Sequence, residues 1–174
     1  MTEQLSNASR RHGYELDEYA AIGQMFLNAA RLERFTHYLA WELMDLDNNS
    51  GSAVTSQMPF VKVLELINRL AAARGMPGEA LEELRRWTAR AKQFSVAVRN
   101  PIAHGMPALN FEAQEDIVQS HGLLRHRAGG EERALSDFSR SQILAMPNQV
   151  MHIFHDVNPH LESARALNVE KPSV

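Results

Sequence analysis

VAVRNPIAHG, residues 96–105, marks the point where the chain leaves a helical pattern, and it decides the order of the elements on either side. Asn100 precedes a proline, which disfavours right-handed helix, and the Pro101 ring would clash with the carbonyl of Ala97 in an undisturbed helix. A helix that reaches this stretch must therefore kink or end there. Gly105 fits the position just past a helix end, where a positive φ is wanted.

Three amphipathic stretches lead up to the motif. Apolar residues recur at helical spacing over residues 17–46, over 59–75, and from about Pro77 into the motif, so three helices are predicted. The stripe of the first helix comprises Ile22, Phe26, Ala29, Leu32, Phe35, Leu39 and Leu43. The cluster of Asn, Gly and Ser in residues 45–52 predicts a loop between the first two helices.

Beyond the motif the pattern changes to that of strands. Between residues 109 and 138, IVQSHGLLR and RALSDF flank AGGEE, which predicts two short strands joined by a glycine-centred turn. Helical spacing returns over 140–167, where Pro147 and Pro159 should each kink or restart the helix. The predicted fold class is therefore all-α: a four-helix up-and-down bundle with a small β-hairpin inserted between helices three and four.

Length and composition favour one soluble domain. The chain has 174 residues, which predicts a single helical domain over 17–167, an N-terminal extension over 1–16 and a tail over 168–174. No run reaches the roughly 18 to 20 apolar residues of a membrane span. Residues 1–18 have no apolar run after their basic residues, which argues against a secretory signal, so we expect a cytoplasmic protein without membrane contact. The net charge of -3 argues against bulk electrostatic binding of nucleic acid, so any RNA contact must be local.

The polar side chains of the motif offer acid–base chemistry. His104 lies in the last predicted turn, where the helix dipole favours imidazolium by roughly 0.3 to 1 kcal/mol and the nearby Arg99 disfavours it. A histidine balanced in this way can titrate near neutrality, and a guanidinium offers a planar fork for phosphate. On a straight helix residues five apart point about 140° from each other, so we expect the break at Pro101 to turn Arg99 and His104 toward one point.

The run Arg99-Asn100-Pro101-Ile102-Ala103-His104, followed by Gly105 at the end of the third helix, resembles the R-x4-6-H motif of the HEPN superfamily. The resemblance covers the four predicted helices by arrangement rather than by detailed sequence. It implies a homodimer that brings two motifs together in a cleft and, in active members, a metal-independent ribonuclease with no cofactor. It also implies proton transfer by His104, stabilisation of the phosphoryl charge by Arg99, and orientation of the site by Asn100.

The spacing alone is not specific, because Arg31 and His37 satisfy it in the middle of the first helix. Only residues 99–105 add the asparagine, the small Ala103 and the terminal glycine. The resulting functional hypothesis is an RNA-cleaving stress or defence effector, such as the toxin of a toxin–antitoxin pair, restrained by a neutralising protein partner. The alternatives are a non-catalytic helical dimer that binds RNA, a nucleotide or a protein through the same cleft, and a dimer in which the motif only ties the helix end to the core.

Three further residues are candidates for substrate binding. Arg85, Lys92 and Arg99 are spaced by seven, which keeps them on one flank of a helix and offers a track for an RNA backbone; an ordinary solvated flank is the alternative. Glu33 falls on the inward stripe of the first helix, where a carboxylate needs a partner. In the functional interpretation Glu33 orients the Arg99 guanidinium or contributes to the cleft. In the alternative it is exposed at the rim or pairs locally with His37. Four basic residues flank the hairpin turn and either solvate it or contact a substrate or a partner chain: Arg125, His126, Arg127 and Arg133.

A histidine cluster near the C-terminus raises the question of a metal site. His152 and His155 are three residues apart, with Asp156 and His160 close behind. Histidines at this spacing without a carboxylate at a matching position lack a convincing ligand set. The sequence has no cysteine to complete one, so no metal site is predicted.

Overall fold

The computed structural model describes residues 15–107, 117–122 and 136–169, with side chains for 15–103 and 138–169. In these residues helices predominate, so the mainly helical class is confirmed. The elements are α1 (Leu16–Met44), α2 (Asn48–Thr55), α3 (Phe60–Ala73), α4 (Gly78–Phe94), a π-helical segment (Ser95–Arg99), α5 (Asn100–His104), β1 (Gly105–Pro107), β2 (Ile117–Gly122), β3 (Ser136–Ser139), α6 (Arg140–His155) and α7 (Asn158–Val169).

The chain forms two compact units, Met1–Leu27 with Phe94–Gln149 and Asn28–Gln93 with Val150–Val174. The first unit contains an antiparallel sheet in the order β1-β2-β3, with Gly105 opposite Gly122. Strands β2 and β3 fall in the segment where two strands were predicted, whereas β1 was not foreseen. The glycine-centred turn between them lies outside the described residues.

The first unit is held together at the start of α1 and the start of α6. Nη2 of Arg140 donates to Oδ2 of Asp17 at 2.6 Å, and its Nε lies 3.9 Å from Oε1 of Glu18. Glu18 is only 2% exposed, while Ile22 and Phe26, which were expected on the inward stripe, are half-buried. Among the residues described in this unit, the buried apolar side chains are Met25, Phe94, Phe138, Ile143 and Met146.

The second unit is built around Trp87, which is fully buried. Its Nε1 donates to the carbonyl of Ile153 at 2.8 Å, and that carbonyl needs a partner because Val157 N–H turns to Phe154 O instead. The helix is interrupted here because Pro159 has no N–H to continue it, so the predicted restart is confirmed. The apolar core of this unit includes Leu32, Leu39, Leu43, Val63, Leu64, Ile67, Leu84, Ala91, Val150, Ile153 and Val157.

The other proline for which a kink or restart was predicted, Pro147, behaves differently from Pro159. Pro147 lies inside α6, which continues unbroken from Arg140 to His155. The helix therefore does not restart at Pro147, so that part of the expectation was wrong, and a kink at this proline stays a prediction.

The loop predicted over residues 45–52 was also wrong, because α2 begins inside it. Asp47 caps α2: its Oδ1 accepts two backbone N–H groups of the first turn, at 2.8 and 3.0 Å. Gly51 packs so closely on the Trp41 indole that a Cβ at this position would overlap the ring. A side-chain cap and a contact that only glycine allows thus override the local preference for a loop.

The C-terminal ends of α1 and α3 are both closed by a residue with positive φ. Asp45 has φ 58° and Gly75 has φ 72°, and each lets a following N–H reach back into the last helical turn. The predicted end of the second helix at Gly75 is confirmed. At the end of α1 an aspartate performs the same turn, a conformation that this residue type adopts more readily than most.

Carbonyl groups at the end of α1 receive donors from distant parts of the second unit. Nη1 of Arg74 donates to Leu43 O at 2.9 Å and its Nη2 to Leu167 O at 3.4 Å. Nδ2 of Asn168 donates to Glu42 O at 3.1 Å. Helix α7 therefore continues through Asn168 to Val169, two residues into the segment predicted as a tail.

Candidate functional site

The backbone of the motif departs from α-helical geometry before the proline. The N–H of Asn100 donates to the carbonyl of Ser95, five residues back, so Ser95–Arg99 forms a π-helical segment that joins α4 to α5. Pro101 itself lies in α5. In a regular helix its ring would meet the Ala97 carbonyl, and a wider preceding turn relieves that clash. The helix therefore does not end at Pro101: its regular α-helical geometry is interrupted before the proline, and helical structure continues to His104, while a kink at Pro101 stays a prediction.

Arg99 and Asn100 contact each other at the junction of the two helical forms. Nη1 of Arg99 donates to Oδ1 of Asn100 at 3.0 Å, and both residues are half-buried. The Nε atom of Arg99 is buried. A guanidinium held by its neighbour at one nitrogen has a restricted orientation, which is useful for a group that must meet a phosphate oxygen.

His104 is the last residue of α5, and the chain enters β1 at Gly105 directly after it. The side chain of His104 lies outside the described residues. Arg99 is the last residue of the π-helical segment and Asn100 is the first residue of α5, so the change of helical form lies between Arg99 and Asn100, and the backbone is α-helical from there to His104. The convergence of these two side chains stays a prediction.

The basic flank of α4 is paired with carboxylates. Nη1 of Arg85 contacts Oε1 of Glu82, and Nζ of Lys92 lies 3.5 Å from Oε1 of Glu65. All four side chains are substantially exposed. The π-helical segment also interrupts the seven-residue repeat before Arg99. These contacts favour the interpretation of this flank as an ordinary solvated surface rather than a track for RNA.

Glu33 acts on the histidine one helical turn after it. Burial lowers the pKa of His37 below its usual value, and the negative charge of Glu33 partly opposes that effect. Glu33 is half-buried, as is His37. The structure therefore supports the local interpretation of Glu33, while its pairing with Arg99 stays a prediction.

His37, which with Arg31 forms the second match to the motif spacing, belongs to a hydrogen-bond cluster around Thr55. Oγ1 of Thr55 donates its proton to Gly51 O at 3.0 Å and accepts Nε1 of Trp41 at 2.8 Å. Nδ1 of His37 lies 2.8 Å from the same oxygen, whose only proton is already used. Nδ1 must therefore carry a proton, which leaves Nε2 as the atom that titrates.

An aromatic groove in the second unit was missed by the sequence analysis. Phe35, Tyr38 and Trp41 follow one another along α1, with ring centroids 5.7 and 4.9 Å apart. They line a cavity of about 250 Å³ that also contacts Glu42 and Arg165. Phe35 was assigned to the inward stripe, yet it is only half-buried. The signal that could have indicated the groove is the spacing of aromatic residues by three in FTHYLAW.

The histidines near the C-terminus are engaged in other contacts or exposed. Oδ2 of Asp156 accepts Nη2 of Arg90 at 2.8 Å, His160 is 7% exposed, and His152 and His155 lie on the surface. Over the described ranges, no three His, Asp or Glu side chains are grouped as a metal ion would require. In the same part of the chain no helix has the length and apolar character needed to cross a membrane. The basic residues that flank the predicted hairpin turn lie outside the described residues: Arg125, His126, Arg127 and Arg133.

A scan of protein-family models, a search of the curated proteins and a search of the solved structures each found no match to this chain. Function is therefore inferred from the motif and its geometry.

Proposed function

We propose that this protein is a HEPN-like, metal-independent endoribonuclease that acts as a homodimer. The observation that carries the proposal is the setting of the motif: a π-helical segment leads into Arg99-Asn100-Pro101, and Nη1 of Arg99 donates to Oδ1 of Asn100. Departures of this kind from α-helical geometry are frequent at functional sites. The motif itself contains no carboxylate, since no Asp or Glu lies between Ser95 and Pro107.

The proposal includes an up-and-down four-helix bundle. Its first three helices are α1, α3, and α4 with its continuation through α5, and its fourth is α6 with α7. Strands β2 and β3 form the inserted hairpin between the third and fourth helices. This arrangement puts the motif at the end of the third helix, as the resemblance to the superfamily implies.

The proposed reaction is transfer of an RNA phosphodiester to the neighbouring 2′-hydroxyl. The 2′-oxygen bonds to phosphorus as the bond to the 5′-oxygen breaks, which leaves a 2′,3′-cyclic phosphate and a free 5′-hydroxyl. One copy of His104 takes the 2′-hydroxyl proton and a second copy protonates the leaving oxygen, so two copies serve the reaction better than one. Arg99 stabilises the charge that develops on the phosphate, and Asn100 orients Arg99.

The nucleophile in this proposal belongs to the substrate. The motif has neither a carboxylate cluster nor a cysteine to hold a metal ion, so the scheme needs no metal-activated water. DNA lacks the 2′-hydroxyl and should remain uncut. The biological setting proposed is a stress or defence effector whose activity a protein partner restrains.

The test is incubation of the purified protein with single-stranded RNA in excess EDTA. Cleavage is expected, with products that carry a 2′,3′-cyclic phosphate. His104→Ala and Arg99→Ala should each lower the rate about 10²- to 10⁴-fold while the dimer stays folded. His152→Ala and Arg86→Ala are matched controls on exposed positions and should cleave at the wild-type rate.

Two results would contradict the proposal. Activity that persists in both motif variants would show that a contaminant or another site cuts the RNA. Binding of RNA without cleavage, across RNAs of varied sequence and structure, would support the non-catalytic dimer instead. Sedimentation at micromolar concentration tests the homodimer separately.

A further inference from the structure

The aromatic groove of the second unit has the features of a small-molecule site. Its walls are the rings of Phe35, Tyr38 and Trp41 with the apolar side chains of Leu46 and Leu161, around a cavity of about 250 Å³. The three rings are half-buried and pack edge-to-face, an arrangement that holds each ring in a fixed orientation. The groove therefore offers aromatic surface that stays partly exposed although the rings also pack within the unit.

The rings are anchored from outside the groove as well. Arg34 lies over the Tyr38 ring, 5.5 Å from its centroid, and its Nε donates to the Tyr38 hydroxyl at 2.7 Å. Nε1 of Trp41 donates to Thr55 Oγ1 at 2.8 Å. Two of the three rings are thus fixed by hydrogen bonds, and a ligand that stacks on them would find the surface already formed.

The polar part of the groove is an ion pair between Arg165 and Glu42. Nε of Arg165 donates to Oε1 of Glu42 at 3.0 Å, and the two side chains are 62% and 31% exposed. The two charges cancel, so this edge of the groove selects for neither an anion nor a cation. A neutral group with hydrogen-bond donors and acceptors along one edge can use both, because an exposed ion pair holds its partners weakly.

We propose that this groove binds a nucleobase. Nucleobases are neutral and planar, stack on aromatic side chains, and carry donors and acceptors on the same edge. The cavity is smaller than the roughly 300 to 1,000 Å³ of pockets for drug-sized ligands, which suits a single ring system. The Tyr38 and Trp41 rings are inclined at 73°, so the base stacks on one of them and meets the other edge-on, and its polar edge meets Glu42 and Arg165.

The site takes a base from either of two sources, a free nucleotide or an RNA strand, and it does not depend on the proposed cleavage reaction. Trp41 provides a direct readout, since stacking on an indole quenches its fluorescence. The probes are the four ribonucleoside 5′-monophosphates and a short oligoribonucleotide. Ribose 5-phosphate, which has the sugar and phosphate without a base, and tetramethylammonium, a simple cation, are the matched controls. Saturable quenching by nucleotides but by neither control is expected.

Variants locate the binding in the groove. Tyr38→Leu should weaken nucleotide binding about 5- to 150-fold, the range found when an aromatic platform for one base is removed. Glu42→Gln and Arg165→Gln change the charge of a half-buried and an exposed side chain but keep them polar, so they should keep the fold and each weaken binding about tenfold or more. Asp156→Asn is the control, since this exposed carboxylate pairs with Arg90 and does not line the cavity.

The oligoribonucleotide distinguishes the sources. If it displaces the mononucleotide and shows the same sensitivity to Glu42→Gln, the groove accepts RNA bases; if it does not compete, the ligand is a free nucleotide. Any one of three results would overturn the proposal. Ribose 5-phosphate could bind as well as the nucleotides do, or Tyr38→Leu and both polar variants could bind nucleotide with wild-type affinity. The third is an absence of quenching at low-millimolar nucleotide. None of these results depends on whether RNA is cut.

Discussion

Two long helices of this protein end in different ways. Helix α1 stops cleanly at Met44: Asp45 turns with positive φ, and donors from Arg74 and Asn168 reach the carbonyls of the last turn. Helix α4 does not stop at Phe94 but widens into a π-helical segment and continues as α5 to His104. One end is closed by groups from elsewhere in the chain. The other carries polar side chains that contact one another.

The difference separates a structural helix end from a candidate functional one. At the end of α1, polar groups satisfy carbonyls that the helix itself leaves without partners. At the end of α4, the Arg99 guanidinium donates to the side chain of its neighbour Asn100, and the backbone adopts a less common form. Substitutions at the first end should change stability, and substitutions at the second should change chemistry.

The largest effect is expected for Pro101→Ala. Alanine restores an N–H and removes the ring, so Ser95–Arg99 can return to α-helical geometry and turn Arg99 away from its present direction. Under the proposed function we expect the rate of RNA cleavage to fall about 10²-fold, the usual consequence of a misplaced reacting group, with little change in the thermal midpoint. Pro77→Ala, at an exposed proline before α4, serves as the control. An unchanged rate would mean that the π-helical segment has no part in positioning Arg99.

Arg74→Met tests the structural end. The substitution keeps most of the apolar stem and removes the guanidinium that donates to Leu43 O and Leu167 O. Hydrogen bonds from a charged group contribute about 1.5 to 3 kcal/mol, so the free energy of unfolding in urea should fall by about that amount. Arg90→Met breaks an exposed pair with Asp156 and should cost about 0 to 1 kcal/mol. If the two variants lose equal stability, the end of α1 is not specially supported.

Gly51→Ala tests the packing of α2 behind the end of α1. The new methyl group would overlap the Trp41 ring, and overpacking of this kind costs about 1 to 3 kcal/mol. Gly23→Ala is a matched control because nothing lies within 4 Å of the added Cβ in helix α1. Alanine there should stabilise the protein by about 0.5 to 1 kcal/mol. Thermal melting followed by circular dichroism measures both, and stabilisation by both substitutions would contradict the packing argument.

The smallest expected effect is a loss of stability as the pH falls. Burial lowers the pKa of His37 in the folded state, so the unfolded chain takes up a proton first as pH falls through the usual histidine value near 6.5. The unfolded state then binds more protons, and stability falls with pH until the folded form is protonated as well. His37→Gln should flatten this part of a plot of unfolding free energy against pH. A steeper slope in the variant would show that the sign is wrong.

Most of the helical pattern could be predicted because a buried stripe repeats every three to four residues. Leu32, Leu39 and Leu43 on α1 and Ile143, Met146 and Val150 on α6 are buried as expected. Gly75 and Pro159 mark helix boundaries through local backbone restrictions, which a sequence reveals directly. These signals act within one turn and need no knowledge of distant residues.

The parts that could not be predicted depend on contacts far apart in sequence or on competing backbone forms. Helix α2 exists because Asp47 caps it and Gly51 meets Trp41, and only the first of these is visible locally. The proline of the motif indicates strain, but spacing cannot tell a kink at Pro101 from a π-helical segment before it. The aromatic groove was missed because Phe35 fits a buried stripe as well as it fits a groove wall.

The π-helical segment also has a consequence for how this chain should align with others. A π-helical bulge arises when one extra residue is accommodated in a helix, so Ser95–Arg99 contains one residue more than an uninterrupted α-helix would need. The extra position is most easily given up at Val96, whose side chain is 54% exposed. A relative with a straight helix here should therefore show a single-residue gap between Phe94 and Asn100, and a chain of this protein shortened by Val96 should keep its core while its motif changes direction.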